Sequence, residues 1–297
     1  MELDDWEGLL DAAPQVYVGV RTKRGPHVTP ELFATSGGRI VCLTAVSTLK
    51  AKRLRTDPLA AVAFPLGGCW LLGLGTAAVV DPASPLSALR EPGAATASSL
   101  GVARFVRDNA RELAGAVADY FTGRLGGALP PHRVVLAITP LALALVDGDG
   151  GVVEHDGWLS LEHTPDDEVD GDADADGVEP PDLDALPDDL AAMAQPGEAV
   201  LGWSRSDGSP LALPARWAPD EAEVTVTSEL FDLCGAGASS AASLTFDTRT
   251  GLGPSGKRGV MLRGDGRAER RGDDTVVALD VDRVTHWDGI DTVTVTL

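Results

Sequence analysis

Tyr17-Val-Gly-Val-Arg-Thr-Lys-Arg-Gly-Pro-His-Val-Thr-Pro30 reads as a strand, a polar turn and a second strand ending in proline. The same pattern returns at Val200-Leu-Gly-Trp-Ser-Arg-Ser-Asp-Gly-Ser-Pro-Leu-Ala-Leu-Pro214. A repeat of this kind has to be found before elements are assigned, because it governs the whole fold. Working outward, Arg39-Ile-Val-Cys-Leu-Thr44 matches Ala222-Glu-Val-Thr-Val-Thr227, and Ala60-Ala-Val-Ala-Phe64 matches Ala242-Ser-Leu-Thr-Phe246. The offsets at Pro30, Thr44 and Phe64 are 184, 183 and 182 residues. Further on, Leu72-Gly-Leu-Gly-Thr-Ala-Ala-Val-Val80 pairs with Met261-Leu-Arg-Gly-Asp-Gly-Arg-Ala268. Val134 to Gly148 pairs with Val276 to Gly289, both ending in Asp-Gly. Two diverged copies of one module are expected.

Most of each copy consists of short apolar or alternating runs rich in Val, Leu, Ile and Thr, separated by Gly, Pro, Asp and Ser. That is the pattern of a barrel or sandwich, so the expected fold class is mainly β with a few helices. The first copy alone carries an amphipathic run, Val102 to Arg124, with Phe105, Ala110, Leu113, Val117, Tyr120 and Phe121 near helical spacing. A shorter helix is expected over Leu49 to Thr56, capped by Ser47 or Thr48 and stopped by Asp57-Pro58. The 297 residues leave room for two modules. The expected division is 1–153, an acidic linker over 154–195, and 196–297.

The chain carries a formal net charge of -21, which argues against nucleic acid or an anionic membrane surface as a partner. Between Glu154 and Asp189 stand 15 acidic residues and no lysine or arginine, so this segment supplies most of the charge. Arg21 to Arg55 is its opposite, with eight Lys or Arg residues and one acid, Glu31. The apolar run Val134 to Val146 is too short to span a bilayer and contains Pro140. The acidic N-terminus lacks the character of a secretory signal, and a cytoplasmic location is expected. Cys42, Cys69 and Cys234 have neither disulfide-framework nor zinc spacing, and the five histidines show no metal-binding spacing, so no metal is expected.

The strongest chemical feature is Thr44-Ala-Val-Ser-Thr-Leu-Lys-Ala-Lys-Arg-Leu-Arg-Thr-Asp-Pro58, where a strand ends in hydroxyl residues and a helix begins. Free backbone N–H groups, the helix dipole and lysine side chains can hold an anion there, and phosphate fits. The chain has four lysines, and two of them, Lys50 and Lys52, stand in this turn. A solvated basic helix face is the alternative. At the repeat offset, Lys50 faces Leu233 or Asp232 in copy two, where Leu233-Cys-Gly-Ala-Gly-Ala-Ser-Ser240 has no cation.

In order, Pro26-His-Val-Thr-Pro30, Phe33, Gly38-Arg-Ile with a strand to Thr44, Lys50, Leu54, Asp57-Pro58, and Gly75-Thr-Ala-Ala-Val-Val-Asp81 resemble the pyridoxamine 5'-phosphate oxidase-like split-barrel proteins. The resemblance covers nearly all of residues 14–150 and, less fully, 196–297. It implies two tandem split β-barrels, and dimeric barrels that hold FMN or the deazaflavin F420 in the groove between them. Carried onto this sequence, it places the cofactor phosphate near Thr44, Ser47, Thr48, Lys50 and Lys52. Copy two would then pack on copy one as an intrachain pseudo-dimer. Lys257 and Arg258, in Pro254-Ser-Gly-Lys-Arg-Gly259, would add charge from across the interface or else stand on a surface loop. A further homodimer is left open.

The expected function is FMN- or F420-dependent hydride transfer to or from a small-molecule substrate, with the cofactor carrying the chemistry. The alternative is a non-catalytic module that binds or senses a cofactor or haem. No match to the pyridoxal-recognition residues of the true oxidases is present, so vitamin B6 oxidation is not implied, and no catalytic side chain is named. Other signals fall short. Gly73-Leu-Gly-Thr-Ala-Ala78 imitates a dinucleotide fingerprint but precedes Val-Val-Asp-Pro rather than a helix. Asp172-Ala-Asp-Ala-Asp-Gly177 imitates a calcium loop, but Leu183 stands at its twelfth position. Gly237-Ala-Ser-Ser-Ala241 lacks the second glycine of a nucleophile elbow.

Overall fold

The computed structural model describes residues 3–81, 92–122, 132–161, 187–289 and 291–297. The first half runs α1 (Trp6–Leu9), β1 (Val16–Thr22), β2 (Gly25–Glu31), β3 (Phe33–Thr35), β4 (Ile40–Ala45), α2 (Leu49–Leu54), β5 (Leu59–Pro65) and β6 (Cys69–Val80). It continues through α3 (Pro92–Asp108), α4 (Ala110–Phe121), β7 (Arg133–Asp147) and β8 (Val152–Asp156). The second half runs α5 (Asp188–Ala191), β9 (Gly197–Ser204), β10 (Pro210–Ala218), β11 (Glu223–Thr227), α6 (Ser228–Leu233) and β12 (Ser239–Arg249). It ends with β13 (Lys257–Arg271), β14 (Asp274–Asp288) and β15 (Asp291–Thr296). Setting β3, α1, α3, α4 and α5 aside, the two halves have the same elements in the same order. The chain is mainly β, in two tandem split-barrel units.

The two sheets close differently. In the second, β11 pairs with both β10 and β14, so the path β10-β9-β12-β13-β14-β11 returns on itself, with β15 added outside β14. In the first, the order is β2-β1-β5-β6-β7-β4-β3, with β8 on β7, and no ladder joins β4 to β2. The first barrel therefore has an open seam between β2 and β4. All strand pairs are antiparallel, the arrangement short hairpin connections favour.

Near-continuous burial in the strands of the first half has two sources. Side chains alternate across a strand, and Val16, Val18, Val20, Val62, Phe64, Leu143 and Leu145 join a cluster made only of first-half residues. The residues between them, Tyr17, Ala61, Ala63, Ala142, Ala144 and Val146, join a cluster shared with β9, β10, β12 and β13. One face thus fills the first barrel and the other packs on the second half. Gly202 makes close packing possible here: a Cβ on it would fall 2.7 Å from a Val28 methyl. Thr245 Oγ1 donates to the Val28 carbonyl at 2.8 Å, the Tyr17 hydroxyl donates to Asp247, and Gln15 Nε2 donates to Asp247 at 3.0 Å.

The long helical run differs from expectation. It begins at Pro92 and is broken at Asn109, whose amide donates to the Phe33 carbonyl at 2.9 Å and to the Phe105 carbonyl at 3.1 Å. Those bonds tie the break to β3. Arg124 lies outside the described residues, as does Asp172–Gly177. Parts of the expected acidic linker are built into the fold: β8 reaches Asp156, Trp158 is buried, and Trp217 Nε1 donates to the Ala194 carbonyl at 3.0 Å. Among the described residues, no helix is long and apolar enough to cross a membrane.

Burial and the adjoining Asp247 charge push the Tyr17 hydroxyl well above its ordinary titration range, so it remains a donor. Tyr17→Phe is expected to cost about 1–3 kcal/mol by leaving Asp247 short of a donor. A chemical-denaturation double-mutant cycle with Asp247→Asn checks this: the two losses should be non-additive by more than about 0.5 kcal/mol. Additive losses would mean that this bond does not couple the halves.

Candidate functional site

The seam between β2 and β4 is where the cationic stretch folds. Thr48 ends the turn after β4 and caps α2, its hydroxyl accepting from Ala51 N–H at 3.3 Å and donating to the Ala45 carbonyl at 2.9 Å. Lys50, the second residue of α2, turns inward and is 4% exposed. Its ammonium lies 2.5 Å from Glu31 Oε1 and donates to Thr29 Oγ1 at the same distance. Thr44 Oγ1 reaches Glu31 at 3.5 Å and Thr48 Oγ1 at 3.3 Å. Side chains bridge the gap that the backbone leaves open.

The second half approaches this cluster through Lys257. Burial pushes its ammonium below the ordinary range, Glu31 opposes that shift, Arg249 and Lys50 add to it, and Glu112 opposes it. Lys257 has no ion pair among the described residues, whereas Lys50 has Glu31. Arg258, the next residue, pairs with Asp288 at 3.0 Å. Neighbours on a strand point to opposite faces, so β13 directs its two cations differently. Ser47 and Lys52 are exposed on the outside of the turn and of α2. Of the seven residues anticipated, Thr44, Thr48 and Lys50 meet around Glu31, Lys257 acts on that group through its charge, and Ser47, Lys52 and Arg258 stand apart.

The corresponding place in the second half is filled by protein. There α6 follows β11 without an intervening turn, so the residue in step with Lys50 is Glu229, not Leu233 or Asp232. Thr227 Oγ1, the counterpart of Thr44, donates to the Gly150 carbonyl, and Glu229 accepts from Val152 N–H at 3.1 Å. The Asp147–Gly151 turn of the first half thus sits on it, beside a cavity of about 70 Å³.

Glu31, Thr29, Arg249 and Glu112 were not anticipated. Glu31 did carry a signal, as the only acid among the eight cations from Arg21 to Arg55. The Arg249–Glu112 pair, 2.9 Å apart, joins β12 to α4 and left no mark in local sequence. The thiols are poor nucleophiles. Cys42 and Cys234 are buried, and burial raises both, Cys234 to about 12.

His27 Nδ1 accepts from the Arg263 guanidinium across the two halves. Burial, then Arg263 and Lys50, hold the imidazole down to about 3. An unfolded histidine titrates near 6.5, so between these values only the unfolded chain binds the proton. The resulting stability is present above about pH 6.5 and is lost as pH falls toward 3. Thermal melts from pH 7 to 4 are expected to show His27→Gln losing less stability on the acid side, by about 1 kcal/mol per pH unit. Parallel curves would mean that His27 titrates normally.

No family model and no curated protein matches the chain. Among solved structures, it is similar to a pyridoxamine 5'-phosphate oxidase-related, FMN-binding protein from Nostoc punctiforme, at 14% identity over 48% of this chain and 82% of that one, with a TM-score of 0.35. It is similar to an F420 reductase at 17% identity over 46% of this chain and 94% of that one, with a TM-score of 0.29. It is also similar to a heme-binding protein from Mycobacterium smegmatis at 13% identity over 50% of this chain and 54% of that one, with a TM-score of 0.34.

Proposed function

We propose that the chain binds one FMN or F420 by its phosphate at the β2–β4 seam and acts as a cytoplasmic oxidoreductase on a small organic substrate. In this reading residues 1–153 carry the cofactor, 154–195 link the units, and 196–297 form the partner barrel of an intrachain pseudo-dimer. One observation carries the proposal: at the seam the Lys50 ammonium stands with the hydroxyls of Thr29, Thr44 and Thr48 and a single carboxylate, Glu31, and the Lys257 charge from the other half acts on both Lys50 and Glu31. The donor set fits a phosphate monoester. Lys257 is half-buried and has no ion pair among the described residues, and an anion would restore what burial takes from it.

When bound, the cofactor would supply hydride transfer. The residues of this chain would fix its phosphate, with Lys50 held in place by Thr29 and Lys257 closing from the second half. Glu31 competes with the phosphate for Lys50. The filled counterpart at Thr227 supports one site per chain.

Lys50→Met alone leaves the Glu31 charge unpaired at the seam and is expected to cost about 3–5 kcal/mol, which would confuse loss of binding with loss of fold. The informative pair is Glu31→Gln and the double variant Glu31→Gln/Lys50→Met. Glu31→Gln should bind FMN or F420 about tenfold more tightly than the parent, and the double variant, folded, should bind neither. Absorbance and equilibrium dialysis at micromolar cofactor check this. A parent chain that takes up neither cofactor would overturn the reading, whereas uptake without NAD(P)H-supported turnover would leave a binding module and remove the enzyme.

A further inference from the structure

A cavity of about 590 Å³ lies between the Leu10–Pro14 segment, the Leu32–Thr35 run, helices α3 and α4, and the β12–β13 hairpin. That volume falls in the range of small-molecule sites. Leu10, Ala13, Leu32, Phe33 and Leu252 give one part of its lining an apolar character, and polar side chains make up the rest. The wall contributed by the second half is held without any ligand: Gly253 N–H donates to Glu112 at 3.0 Å and Ser255 N–H to Asp119 at 3.0 Å. A Cβ on Gly115 would come within 2.7 Å of the Gly253 nitrogen, so α4 and the hairpin are in direct backbone contact.

Six charged residues line the cavity, and five of them are matched. Arg104 lies 3.9 Å from Asp11 and 3.5 Å from Asp108, and Arg249 lies 2.9 Å from Glu112. Arg111 has no ion pair or side-chain hydrogen bond among the described residues. The cavity therefore offers an apolar patch beside polar groups and, at its rim, one solvent-exposed guanidinium without an ion pair among the described residues. A guanidinium presents parallel N–H donors to a carboxylate, and an apolar body gains by leaving water.

We propose that this cavity is a second ligand site, separate from the Lys50–Lys257 cluster, for a hydrophobic carboxylate whose charge pairs with Arg111 and whose body lies on the apolar lining. The cavity meets the cofactor reading at the Arg249–Glu112 pair, which lines the cavity and also acts on Lys257. The proposal does not depend on a flavin being bound.

Calorimetric titration of the full chain with decanoate tests it. Saturable binding of one decanoate per chain is expected, with displacement of the fluorescent sulfonate 8-anilinonaphthalene-1-sulfonate. Arg111→Gln should weaken decanoate binding at least tenfold without moving the melting temperature, because Arg111 is exposed and holds no ion pair among the described residues. Leu252→Trp, which enlarges an exposed hairpin residue at the cavity wall, should abolish binding. Saturating FMN, and the Glu31→Gln/Lys50→Met variant, should leave decanoate binding unchanged. Three results would each overturn the proposal: absence of one-to-one binding, wild-type affinity in both Arg111→Gln and Leu252→Trp, or competition between FMN and decanoate. The last would make the cavity part of the cofactor site.

Discussion

Glu31 at the end of β2 and Lys50 on α2 face each other beside the seam where β2 and β4 share no ladder, with side chains only 15% and 5% exposed. Taking both charges out of water costs several kcal/mol per ion, which their attraction offsets only when the remaining donors and acceptors are also met. Thr29 meets the ammonium and Thr44 the carboxylate. The pair thereby holds α2 across the seam and stands in for the backbone bonds that β4 and β2 do not make. The second barrel shows the alternative. Its β10–β11 ladder closes by main chain, so the equivalent helix position is released for another task, and Glu229 receives the hairpin turn of the first barrel. The contrast changes the meaning of a missing lysine in copy two: that copy can do without Lys50 because its backbone closes the barrel.

Unequal closure also shapes the contact between the halves. β2, unpaired on its outer side, offers the Val28 carbonyl to Thr245 and His27 to Arg263, so polar groups at the open edge are satisfied by the other half. Around them the contact is made by small side chains, Ala61, Ala63, Ala142 and Ala144, and by Gly202. Small residues bring the two sheets close. Packing and polar contacts at the open edge are therefore one problem, since the close approach also brings Thr245 and Arg263 onto the groups β2 leaves unpaired.

Much of the fold was legible because strand periodicity is local. The runs around Val18, Val62 and Leu145 alternate between two buried faces, and the repeat supplied the order of elements. What the sequence could not show was set by distant partners. The break at Asn109 depends on the Phe33 carbonyl, and the start of α6 depends on the absence of a turn after β11. Three turn residues shifted the helix, so matching by offset put Leu233 or Asp232 opposite Lys50 where the fold puts Glu229. At the site, the cations were legible as a cluster, but whether each faced inward was not. Lys50 and Lys52 differ by about 200° around α2, so one is buried and the other exposed.

The anion site proposed for this acidic chain is less contradictory than its net charge of -21 suggests. Exposed charges are screened beyond about 8–10 Å at physiological salt, whereas ammonium groups in a partly dry seam act at close range in a lower dielectric. On the proposed reading, the local balance of the Lys50 and Lys257 charges against Glu31 would govern what enters. Glu31 makes that balance adjustable. It keeps Lys50 ordered in the absence of a ligand, and a phosphate must displace or share with it. If the proposed site holds, the chain would give up affinity to gain a preformed site, and the size of that trade would be set by how far Glu31 can retreat toward Thr44.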